Sequence, residues 1–142
     1  MSDRADVDKI RIARARLAAS GPAQEREPGD FERVALPVRD ADALRDALIA
    51  ERAGVVIEVG LAYGSSALAI AEALAQPSRG GIRHVIVDAF QDRFFDGGWN
   101  ELVRAGATVD ATLTRPNARI RGRGNGWPEI GKFSTARWVC AP

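Results

Sequence analysis

The stretch VVIEVGLAYGSSALAIAEAL, residues 55–74, passes from a β-branched run through Gly60 and Gly64 into an alanine-rich segment. Residues 55–59 are apolar on both faces apart from Glu58. That pattern predicts a central parallel strand covered on each side by helices. In SSALAIAEALAQ, Ala67, Ile70, Ala71 and Leu74 fall on one side of a helix whose small residues allow close packing on a sheet, and QPSRGG ends it. HVIVDAF, residues 84–90, supplies a second strand. Strand, glycine turn, helix and strand make a βαβ unit, for which a right-handed crossover is expected.

Glu58 asks for an explanation, because an unpaired carboxylate among buried valines is costly. Its partner could be the turn's own amides, a helix N-terminus or a bound cation. Glu58, Gly60, Gly64 and Ser66 fit the pattern E-x-G-x-x-x-G-x-S across the strand end and helix start. Such a junction exposes unpaired N–H groups and a positive dipole end, and glycine lets a ligand approach the backbone. Ser65 or Ser66 can cap the helix without any ligand. Asp88 closes the second strand, thirty positions after Glu58. In nucleotide-binding βαβ units a carboxylate there accepts both ribose hydroxyls; a plain strand-ending aspartate is the alternative. The dinucleotide pattern G-x-G-x-x-G has a glycine where Ala62 stands, and Glu58 would repel a pyrophosphate. A cationic, phosphate-free adenosine cofactor, S-adenosylmethionine, removes that conflict.

Outward from this unit, residues 3–20 set Val7, Ile10, Ala13 or Arg14, and Leu17 at helical spacing, an appended helix whose arginines read as a solvated face. GPAQEREPGD, residues 21–30, reads as a linker. Asp40 is a natural N-cap for ADALRDALIAERA, with Ala41, Leu44, Leu48 and Ile49 as its apolar stripe and Gly54 as its stop. After Phe90, QDRFFDGG reads as a loop, WNELVRAG as a short helix closed by Gly106, and ATVDATLT as a third strand.

Residues 55–74 followed by HVIVDAFQ resemble the first half of the class I S-adenosylmethionine-dependent methyltransferases, and more narrowly their O-methyltransferase-like group. The resemblance covers roughly residues 36–114. It implies an α/β, Rossmann-like methyltransferase fold, here truncated after about three strands. It also implies cofactor contacts from Glu58, Gly60, Leu61, Ala62, Tyr63, Gly64, Ser65 and Ser66 at the methionine end, with Asp88 on the ribose and Ala89 and Phe90 along the adenine. The family's later acidic loop and closing hairpin have no counterpart, and no catalytic residue is identified.

The charge changes where the resemblance stops. Residues 1–114 carry 14 Lys+Arg against 18 Asp+Glu, net −4, and residues 115–142 carry 6 against Glu129 alone, net +5. Four glycines and no sustained period predict an irregular basic tail there, such as a truncated or out-of-frame ending leaves. The expected organisation is a helix and linker over 1–30, a cofactor-binding half domain over 31–114, and the tail over 115–142.

At 142 residues the chain suits one core. Its charged N-terminus and the lack of a long apolar run predict a cytoplasmic protein without a membrane span. Cys140 is the single cysteine, which excludes an intrachain disulfide, and His84 the single histidine, read as a structural residue. Asp92 and Asp96 match no metal-ligand spacing. Trp99 is expected on the core or over the adenine pocket. Arg121, Arg123 and Trp127 are a weak basis for nucleic-acid binding. The function expected is S-adenosylmethionine-dependent methyl transfer, to oxygen of a small acceptor, with completion by a partner or second copy across an open sheet edge. An inactive interaction module that keeps the βαβ unit and an NAD-dependent oxidoreductase are the alternatives.

Overall fold

The computed structural model describes residues 2–76, 83–88, 90–106, 108–110 and 133–137. Three helices open the chain: α1 (Ser2–Ser20), α2 (Asp30–Val34) and α3 (Val38–Ala50). The βαβ unit follows as β1 (Val55–Val59), α4 (Ser65–Leu74) and β2 (Arg83–Val87). A 3-10 turn at Gln91–Phe94, α5 (Gly97–Arg104), β3 (Thr108–Asp110) and β4 (Phe133–Arg137) complete the described elements.

The sheet is mixed, in the order β1-β2-β4-β3. β1 and β2 run parallel, Val55 opposite Arg83 and Val59 opposite Val87. β4 is antiparallel to both β2 and β3. The order corrects the expectation of a central β1: among the described residues it is an edge strand. A two-faced apolar pattern usually marks a strand covered on both sides, but here Val55, Ile57 and Val59 are exposed. The basic tail is also less irregular than its sequence, since Phe133–Arg137 forms a strand. Its regularity comes from pairing with β2 and β3, which leaves no mark in local periodicity.

One face of the sheet carries the helices. From Ala67 to Leu74 every residue of α4 is buried, because α1, α3 and α5 all pack on it. The core joins Val7, Ile10 and Leu17 of α1 to Leu68 of α4, Ile86 of β2 and Leu102 of α5, with Trp99 partly buried against it. So α1 belongs to the core.

Nor are Arg11, Arg14 and Arg16 only a solvated face. Arg11 Nε and Arg14 Nη1 donate to the two oxygens of the buried Glu72, at 2.9 and 2.8 Å, and Arg14 Nη2 donates to Asp42 at 2.6 Å. Arg16 donates to the buried Glu101. The acceptors lie on α3, α4 and α5, so α1 is held by charge-assisted bonds as well as by its stripe. Burial pushes the Glu72 carboxyl up, but the hydrogen bonds from Arg11 and Arg14 and the charge of Arg45 outweigh it and hold the group below its ordinary value.

Local boundaries differ from the sequence reading in two places. α3 begins at Val38 after Pro37, with no side-chain cap, which puts Asp40 in its first turn instead of at the cap. It ends at Ala50, and the left-handed residue beyond is Arg52 at φ 52°, ahead of Gly54. α5 ends as expected, with Gly106 at φ 94°. No helix among the described residues is long and apolar enough to cross a membrane.

Candidate functional site at the carboxyl edge of the parallel pair

β1 and β2 both end at one edge of the sheet, where the chain turns through residues 60–64 into α4. In open α/β sheets this edge is where ligands bind. Gly60 has φ 85° and donates its amide to Val87 O at 2.8 Å. A Cβ there would meet nothing within 4 Å, so this end of the turn is open. The other end is packed. Gly64, at φ 86°, would bring a Cβ to 3.2 Å from Gly98 O, and a Cβ on Gly98 would lie 2.5 Å from Leu61 Cγ and 2.8 Å from Ala62 O. The start of α5 therefore rests on Leu61–Gly64, and only glycine at 98 allows that approach.

Both predicted acidic anchors lie at this edge, and both are bonded within the protein. Glu58 is 8% exposed; its Oε1 accepts the Ser66 hydroxyl, and its Oε2 lies 2.9 Å from His84 Nε2. The partner that the buried carboxylate requires is thus a hydroxyl and an imidazole, neither foreseen for it. A signal existed: Val56 pairs with His84, so Glu58 and His84 share the inner face of neighbouring strands. His84 is fully buried, and its Nδ1 has no hydrogen-bond partner among the described residues. The arrangement fits the tautomer that donates Nε2–H to Glu58 and leaves Nδ1 as a bare acceptor.

Asp88, 6% exposed, bridges the strand end and the turn. Its Oδ2 accepts the amides of Leu61 at 2.5 Å and Ala62 at 3.3 Å, and its Oδ1 accepts the amide of Phe90 at 2.7 Å. The two amides that an incoming anion would use are held by the chain's own carboxylate. Ala62 itself adopts φ 43°, the left-handed form that glycine takes freely. The missing glycine is therefore no obstacle in backbone shape to a dinucleotide; the occupied amides are.

The remaining predicted contacts divide. Neither serine caps α4, whose N-cap is Gly64. Ser65 Oγ accepts the Leu36 amide at 2.9 Å, and Ser66 serves Glu58. Leu61 is buried in the core. Tyr63 turns away from the edge: its hydroxyl donates to Asp30 at 3.1 Å and accepts the Arg26 amide at 2.7 Å, while its ring lies edge-on to Phe31 and Phe94. Burial pushes the Tyr63 phenol up, and Asp30 adds to that. Phe90 is half exposed, with the Arg93 guanidinium 4.7 Å from its ring centre. Ala89, Arg121, Arg123, Trp127 and Cys140 lie outside the described residues, as does the side chain of Asp92. No group of three or more metal-ligating side chains occurs among the described residues.

No family model matches the chain, and no curated protein or solved structure matches it. The site therefore has to be read from its own chemistry.

Proposed function

We propose that the chain binds S-adenosylmethionine at the carboxyl edge of β1 and β2 and belongs to an O-methyl-transfer reaction on a small acceptor. One observation carries this reading: Asp88 holds the Leu61 and Ala62 amides, so the glycine turn offers a carboxylate-lined edge in place of an anion cradle. A pyrophosphate would lose its donors and face Glu58 and Asp88. A sulfonium and an ammonium would meet two carboxylates, with room at Gly60 for close approach and the exposed Phe90 ring as a surface for adenine. In this reading the protein supplies positioning and exclusion of water, the βαβ unit serves as the first half of a Rossmann-like sheet, and a second copy across the β1 edge is the expected partner.

The internal satisfaction of Glu58 and Asp88 favours a second reading, a non-enzymatic module that keeps the βαβ frame and needs no ligand. Calorimetry of the full chain with S-adenosylmethionine and with NAD separates these. The expected result is binding of the first only, abolished by Gly60→Asn, a side chain that tolerates the left-handed backbone at this position, in protein whose circular dichroism is unchanged. Binding of NAD, or of neither by folded protein, overturns the proposal; a methyl-transfer assay with candidate hydroxyl acceptors then decides between binding and turnover.

A further inference from the structure

The helical layer also forms a second concavity, away from the carboxyl edge and open to solvent where Ala18, Glu32 and Val38 are exposed. It is a cavity of about 270 Å³ between α1, the α2–α3 corner and the first turn of α4. Leu17, Phe31, Leu36, Pro37 and Ala41 give it apolar walls. Its volume lies just below the range of drug-sized sites, about 300 Å³ and upward, which are apolar with a few polar groups that fix orientation, and so suits a smaller ligand.

The polar groups that line it differ in what they have left to offer. Arg14 is engaged by Glu72, Asp42 and the Val38 carbonyl. Ser65 Oγ accepts the Leu36 amide and keeps its own O–H as a donor. Glu32, exposed on α2 at the rim, has no ion-pair or hydrogen-bond partner among the described residues. The cation in the lining is therefore already paired, with Glu72 and Asp42 that also serve Arg11 and Arg45, and the charge of the lining without a partner is that of Glu32.

We propose that this cavity binds a small apolar amine, with one ring or a short hydrocarbon body between Leu17, Phe31 and Ala41 and an ammonium on Glu32. An anion of the same shape meets Glu32 with the wrong sign and finds Arg14 already paired. A neutral hydrocarbon fills the walls but leaves the carboxylate unanswered. The inference does not depend on the methyl-donor reading: Ser65 is the one wall residue also expected at the cofactor site, and its Oγ accepts the Leu36 amide on the cavity side.

The test uses the full chain with 2-phenylethylamine and its anionic counterpart 3-phenylpropionate, followed by calorimetry and ligand-observed magnetic resonance. The amine should bind about tenfold more tightly than the anion. Ala18→Trp, at the exposed rim of the cavity, should abolish amine binding with the circular dichroism and melting curve unchanged. Glu32→Gln should weaken the amine by about two- to fivefold and narrow its advantage over the anion. Equal binding of the two probes, no binding of either by folded protein, or amine binding that survives Ala18→Trp overturns the proposal.

Discussion

On the inner face of the sheet His84 and Ile86 are fully buried beneath the helices, while on the outer face Val55, Ile57 and Val59 are 62, 69 and 82% exposed. The residues of the two faces alternate along the same two strands, and both faces carry β-branched side chains, Val56 and Ile86 inside and Val55, Ile57 and Val59 outside. What separates them is the partner. Behind the inner face stands α4, buried from Ala67 to Leu74 and itself clasped by α1, α3 and α5. Nothing among the described residues plays that part for the outer face of β1. Full burial of a valine or isoleucine contributes about 1.5–3 kcal/mol, so the outer face holds back stabilisation that the inner face has already gained.

The strongest way to break the contrast is to empty the inner side. Leu68 is fully buried at the centre of the core cluster. Leu68→Ala should cost about 3–5 kcal/mol, the transfer loss plus the cavity that a rigid surround leaves. Urea unfolding gives the number. A cost under about 1 kcal/mol would mean that the helical layer is loosely packed and the two faces are not so different.

Next in size is the charged clasp. Glu72→Gln leaves Arg14, 13% exposed, with Asp42 as its one charged partner among the described residues, while Arg11, 54% exposed, can return to water. Because only part of the pair is sealed off, the expected cost is about 2 kcal/mol, less than for a fully buried ion pair. The pH dependence carries the same sign. Glu72, Asp42 and Asp30 all sit below their ordinary values in the folded chain, Glu72 and Asp30 against the pull of burial, Asp42 chiefly through its hydrogen bond from Arg14. Groups shifted down contribute stability that is complete above the ordinary values of 4.5 and 3.8 and disappears as pH falls through the lower folded values. Acid unfolding should begin only below pH 4.5, and Glu72→Gln should flatten that limb.

Much of the inner side could be read from the sequence, because periodicity reports burial. The 3.6-residue spacing of Val7, Ile10 and Leu17 and the alanines of α4 mark faces that are indeed buried. The partners of the arginines could not be read, since Arg14 and Glu72 are 58 residues apart and nothing local couples them. The edge position of β1 was hidden for a similar reason: an apolar pattern records what a strand can bury, not whether anything arrives to cover it. At the site, the residue types at Glu58 and Asp88 were legible but their hydrogen bonds were not. A carboxylate at a strand end serves a ribose or the turn's own amides equally well in sequence, and only the 2.5 Å bond from Leu61 shows which the folded chain uses.

The smallest expected effect is the most discriminating. Ile57→Thr keeps a β-branched side chain in the strand, so its backbone preference is nearly unchanged, and at 69% exposure the lost methylene chemistry was never withdrawn from water. If the outer face stands open in solution, the urea midpoint should move by less than about 0.5 kcal/mol in equivalent stability, at any protein concentration. If a second copy covers it, wild-type stability should rise with concentration through mass action, and Ile57→Thr should remove that dependence along with about 1–2 kcal/mol of buried contact. An uncapped strand edge beside three exposed branched residues is the usual setting for such pairing. A flat concentration profile for both proteins would instead establish that this chain tolerates an apolar face in water, with the inner face alone supplying its stability.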